Sequence, residues 1–238
     1  MTWWSACPFI ALTTAYLNLH TIIRYPMLFR SLIVSTILTV SAASSVAYAE
    51  VAEHEHHAHA MATKGSASDR AYGAVMQKMH KTMHVSLSGN PDVDFVRQMI
   101  PHHQAAVDMA KVQQKYGHDT YLKNFNDWVI AAQEKEIALM KNWLRRKDNG
   151  LSSANAKDYY GESMATMHEK MMITYTGDAD VDYARGMIPH HQGAVDMARI
   201  LLAEGKDPEL QRLANDIYSS QTQEIAKLER WLNEHNHR

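Results

Sequence analysis

Cysteine is nearly missing from this sequence. The one present, Cys7, sits in a leader expected to be removed, so the mature chain would carry no disulfide and no thiolate ligand. Phenylalanine is scarce, with four in 238 residues. No window alternates apolar and polar residues as a strand does, so the chain reads as all-α. Basic residues do not outnumber acidic ones, the net charge being −2, and they form no stripe suited to nucleic acid. No Glu-x-x-His occurs within the helical part, which argues against a di-iron bundle. No nucleophile–base pair or cofactor-binding motif is visible either.

The N-terminus has the layout of an export signal. Ser31 to Ala49 is an apolar stretch preceded by Arg24 and Arg30, and it ends in the small-x-small pattern Ala47-Tyr48-Ala49. We expect cleavage after Ala49. A retained membrane anchor is the competing reading, weakened by the Ser, Thr and Ala in the stretch. Met27-Leu28-Phe29-Arg30 resembles an ordinary start, which would make residues 1–26 a start-codon artefact. Without residues 1–49 the chain has 22 basic and 26 acidic side chains, a charge of −4. Residues 50–70 show no apolar periodicity and read as a disordered tail bearing His54, His56, His57 and His59.

Methionine and histidine are abundant, 15 of each, and they are duplicated. Met99-Ile100-Pro101-His102-His103 returns 88 residues later as Met187-Ile188-Pro189-His190-His191. The same offset maps Met76, Met79, His80 and Met83 onto Met164, Met167, His168 and Met171. From Tyr72 to Leu144 about 31 of 73 positions are identical to the second copy, without a gap. Such an internal period marks a repeated structural unit.

We place repeat 1 over residues 71–148 and repeat 2 over residues 158–234, each with one short and two long helices. In repeat 1 these cover about Ser68 to Ser86, a segment capped by Asp92 or Asp94 and ending before Gly117, and Asp119 to Lys147. Two long helices are too few to bury both apolar faces. Paired copies would form a four-helix bundle of tandem repeats, with the short methionine-rich helices across or beside it.

Met76, Met79, His80, Met83 and His84 share one helical face, as do Met164, Met167, His168, Met171 and Met172. Methionine is ordinary core filler, yet these stripes hold no Leu, Ile or Val and place imidazole at their centres. Met99, His102, His103, Ala106 and Met109 share a second face, with Met197 matching Met109. Pro101 should kink that helix or start a new segment. Small neighbours (Ala105, Ala106 and Ala110; Gly193, Ala194 and Ala198) leave room for close helix approach or for an ion. Glu136 and Glu224 project from apolar faces, either to orient a ligand histidine or to pair across the copies. Asp108 and Asp196 lie opposite the histidines, as surface groups or inter-helix partners.

Thioethers are soft ligands. With imidazole, and without cysteine, they suit Cu(I), with Ag(I) as its mimic; the histidines also suit Cu(II). Zinc would leave the methionines unexplained. The histidine-rich tail, with His235 and His237, reads either as a solvated spacer or as a weak trap for divalent ions.

Around Met-Ile-Pro-His-His-Gln-x-Ala-Val-Asp-Met-Ala the chain resembles the DUF305 family, and its Met-x-x-Met-His segments are similar to those of a periplasmic copper-binding member. The resemblance spans both repeats, residues 70–234. It implies a ferritin-like helical bundle, export to the periplasm, and Cu(I) or Ag(I) binding in copper tolerance. It also implies metal contacts at Met76, Met79, His80, Met83, Met99, His102 and His103, and at Met164, Met167, His168, Met171, Met187, His190 and His191. His84, which faces Met172 in the other copy, breaks the symmetry.

The leading expectation is a periplasmic protein that sequesters or shuttles Cu(I), passing it to copper efflux or chaperone proteins. It would bind no nucleic acid, and no membrane after signal cleavage. A metal-dependent oxidase on the bundle and a methionine-rich interaction module are the alternatives.

Overall fold

The computed structural model describes residues 65–150 and 152–235. The expected signal segment, most of the tail, and His237 lie outside them. Six helices are described: α1 (Ala67–Met83), α2 (Pro91–Tyr116), α3 (Thr120–Lys147), α4 (Gly161–Met171), α5 (Ala179–Glu204) and α6 (Pro208–His235). No strand occurs among the described residues. The all-α reading holds.

Local chemistry sets the helix ends. Ser66 and Asp69 form a reciprocal capping box, which starts α1 inside the stretch assigned above to the tail. Residues 67–70 are therefore helical, a correction to that boundary. The cap of α2 is Asn90, not Asp92 or Asp94: the Asn90 carboxamide accepts from the Asp92 and Val93 amides, with Pro91 at the first helical position. Asp94 instead reaches back to Ser88 and Gly89, accepting from both amides and the Ser88 hydroxyl. Asp182 repeats this arrangement with Thr176 and Gly177. Gly89 and Gly177 have φ of 78° and 86°, the left-handed backbone that glycine adopts without steric cost.

Asp92 and its counterpart Asp180 clamp the copies together. Asp92, at the start of α2, accepts from the amides of Lys206 and Asp207, which lead into α6. Its equivalent Asp180 accepts from the amides of His118 and Asp119, which lead into α3. Tyr72 donates to the carbonyl of Ala179, and Tyr160 donates to that of Pro91. Each bond crosses between repeats, and each has a partner 88 residues away. The copies are thus related by a pseudo-twofold axis.

The long helices form the bundle. α2 packs on α3, α5 on α6, and α2 against α5, while α1 lies on α2 and α4 on α5. Phe95, Val96 and Met99 of α2 share a core with Ala194, Met197 and Leu201 of α5 and with Met140 and Ile217. Ala106 and Met109 share a second core with Tyr183 and Met187, and with Leu122, Val129 and Leu228. α2 and α5 therefore run antiparallel. α2 continues through Pro101 as one helix, as α5 does through Pro189, although each proline removes one backbone donor.

Candidate metal site

The doubled Pro-His-His motif lies at the α2–α5 crossing, at the centre of the bundle. His102, His103, His190 and His191 have no exposed surface. The rings of the equivalent residues His102 and His190 meet with centroids 3.8 Å apart, which puts them on the pseudo-twofold axis. His190 Nε2 donates to the His102 carbonyl oxygen at 3.1 Å. His103 Nε2 donates to Glu136 Oε2 at 2.7 Å, so Glu136 orients a histidine of its own repeat rather than pairing across copies. His191 Nε2 lies 2.9 Å from Glu224 Oε2 but lacks hydrogen-bond alignment.

Burial, with the neighbouring histidine rings, holds His102 and His190 well below the usual imidazole range. Both nitrogens of His102, and Nδ1 of His103, His190 and His191, have no hydrogen-bond partner among the described residues. In a neutral imidazole one of the two ring nitrogens keeps a lone pair of the kind that metals take. Yet no three His, Cys, Asp or Glu side chains converge in a metal-holding arrangement among the described residues. A histidine-only centre is not pre-built.

The second histidine group sits where α1 meets α4. His80 and His84 bring their Nε2 atoms to 3.4 Å, and the His80 and His168 ring centroids lie 5.2 Å apart. His80 and His168 are equivalents, so this pair also straddles the axis. Its rings are accessible: His80 and His168 are half-buried and His84 is exposed. Burial, then the His80 and His84 rings, lowers the His168 pKa, which favours the neutral, ligating form.

The methionines divide by depth. Met99 and Met197 are enclosed with Ile137, Trp143 and Leu213, as ordinary core methionines are. Met79, Met109, Met167, Met171 and Met187 are buried in the other core, at whose edge Met76, Met83 and Met164 are partly covered. Met172 is 59% exposed. Met167 lies so close over Gly193 that a Cβ there would come within 2.7 Å of its sulfur. The small residue thus serves close helix approach. Asp108 receives Lys78 of α1 at 2.6 Å, an inter-helix partner as anticipated, while Asp196 stays at the surface beside Arg199.

Sequence reasoning missed Tyr183, whose hydroxyl is buried without a partner, and Gly186, against which the Met109 methyl packs. Both follow from contacts between helices, which helical periodicity does not encode.

The family profile for a domain of unknown function, DUF305, matches residues 92–232, more than half of the chain. The chain belongs to the DUF305 family. The match runs from α2 into α6, so α1, with Met76, Met79, His80, Met83 and His84, lies outside the DUF305 segment. The chain is similar to CopM in its Cu(I)-bound form, at 34% identity over 60% of this chain and 96% of that one, with a TM-score of 0.48. CopM is also known in apo, silver-bound and Cu(II)-bound forms. A DUF305 protein of Streptomyces coelicolor, 24% identical over 63% of this chain and 95% of that one, shares the fold with a TM-score of 0.52. Uncharacterized protein L153 of Acanthamoeba polyphaga mimivirus is 42% identical over 55 residues, and the chain spans about a third (36%) of its length.

Proposed function

We propose that this DUF305 protein is an exported copper-binding protein that holds Cu(I), and by the same chemistry Ag(I), on the Met/His seam between α1 and α4. The observation that carries this reading is the contact of His80 with both His84 and His168, on helix faces that also bear the partly covered Met76, Met83 and Met164 and the exposed Met172. Thioethers prefer monovalent copper, and the three imidazoles extend the seam to Cu(II). Copper is cargo here. Shallow, two-sided ligation allows buffering and hand-over to an efflux protein or chaperone by ligand exchange. The buried quartet would orient and stiffen the crossing beneath, its unpartnered nitrogens forming a second donor set.

Export rests on residues 1–49 as a cleaved signal, and no helix among the described residues is long and apolar enough to cross a membrane. The N-terminal mass of the exported protein checks this, with Glu50 expected as the first residue.

The central test is anaerobic Cu(I) titration of the purified chain against a competing chelator, alongside a variant with Met76, His80, Met83, Met164 and His168 changed to alanine. Tight retention by the wild type and its loss in the variant are expected. Equal, weak retention by both would sink the reading. A metal-dependent oxidase would instead consume oxygen with turnover once loaded, and an interaction module would keep its partners after chelation.

A further inference from the structure

Beneath the seam lies a small cavity of about 10 Å³, enough for one water-sized atom. Met76 of α1, Met109 of α2 and Met171 at the end of α4 all line it, together with Tyr72, Asp182 and Gly186. Three thioethers thus arrive from three helices, two from one repeat and one from the other. We propose that Met76, Met109 and Met171 form an enclosed thioether site for a single soft monovalent cation, Cu(I) or Ag(I), separate from the imidazoles. The proposal rests on the copper-binding reading above and assigns it a second, monovalent-only site.

The walls suit a soft cation better than water. The Tyr72 hydroxyl donates to the Ala179 carbonyl. The Asp182 carboxylate already accepts from the Thr176 amide and hydroxyl and from the Gly177 amide. Thioether sulfur is a weak acceptor, so the three methionines themselves give a water little to bond to. A cation bound by the sulfurs would sit near the buried Asp182, whose charge would partly offset its own.

The cavity is not reproduced by the pseudo-twofold axis. The 88-residue offset maps the trio onto Met164, Met197 and Met83, but it maps Gly186 onto the buried Gln98. A Cβ at Gly186 would lie 3.0 Å from the Met109 methyl and 3.8 Å from Ile173, so glycine leaves the space that the cavity uses. By symmetry a glutamine side chain occupies that position in the counterpart.

The test compares Cu(I) and Ag(I) stoichiometry in the full chain with that of Met109→Leu, which keeps volume but removes sulfur, and of Gly186→Ala, which narrows the cavity. Folding is verified by circular dichroism. Each variant should lose one equivalent, or bind it at least tenfold more weakly, and copper X-ray absorption should lose a sulfur-only component. Cu(II) stoichiometry should stay the same in Gly186→Ala. Unchanged Cu(I) stoichiometry and affinity in folded Met109→Leu would overturn the proposal while leaving the seam reading intact. A wild type that takes up no Cu(I) would overturn both. Should Met109→Leu not fold, Met171→Leu, at a methionine outside the seam set, carries the same expectation and the same refutation.

Discussion

Two pairs of equivalent histidines lie on one pseudo-twofold axis and live in opposite surroundings. His102 and His190 have no exposed surface and meet with centroids 3.8 Å apart; His80 and His168 meet at 5.2 Å with their rings accessible. The same side chain, duplicated in the same way, is sealed from solvent in one pair and reachable from it in the other. Depth separates them, not residue type.

The strongest way to break this division is to truncate one member of each pair. His102→Ala empties a fully enclosed site and should cost about 3 kcal/mol of unfolding free energy, whereas His80→Ala should cost no more than about 0.5 kcal/mol. Urea denaturation measures both, and a reversed order would refute the assignment.

Acid is the next lever, applied to the metal-free protein. The folded pKa values of His102 and His190 lie below the unfolded value of about 6.5, so the native state binds fewer protons. Their contribution is complete above pH 6.5 and is lost as pH falls toward the folded-state values. Two such groups give a slope of up to about 2.7 kcal/mol per pH unit, so a loss of about 2 kcal/mol is expected between pH 6.5 and 5.5. The His102→Phe variant should show a shallower slope, and equal slopes would count against the buried pair as its source.

A smaller effect is expected at the seam. His80→Ala with His168→Ala should weaken Cu(II) binding at least tenfold, about 1.4 kcal/mol, with little change in melting temperature, whereas His102→Ala should spare that affinity. Calorimetric titration decides between them. At the bottom of the scale, Lys111→Ala removes an exposed contact to Glu134 at 3.3 Å and should change stability by less than about 0.5 kcal/mol. A larger change would mean that the surface is not the neutral background assumed here.

Much of the fold could be read from the chain because its punctuation is local. Gly89, Gly117 and Gly205 mark breaks, and Asp119, the expected start of the third helix, is the cap of α3. The Asn90 cap was missed because Asp92 and Asp94 have equally good capping chemistry, and the choice depends on what lies across the repeat. Asp92 is committed to Lys206 and Asp207, a contact that local reasoning cannot see. The candidate site was legible as a set of donors but not as a set of depths. Met79-His80 and Met99 with His102 look alike as sequence, since helical spacing gives a face and not its burial. The convergence of Met76, Met109 and Met171, separated by up to 95 positions, is invisible to any periodicity.

The α2–α5 crossing also bears on ancestry. A helix face that meets its own duplicate about a twofold axis is self-complementary, the property of an isologous homodimer. The Asp92 and Asp180 clamps and the Tyr72 and Tyr160 bonds obey the same operator. One repeat holds, in a single copy, every donor and acceptor that those four contacts require. The chain thus has the internal symmetry of a dimer within one polypeptide, and the tether frees its halves from strict identity: His84 stands opposite Met172, and Gly186 opposite Gln98.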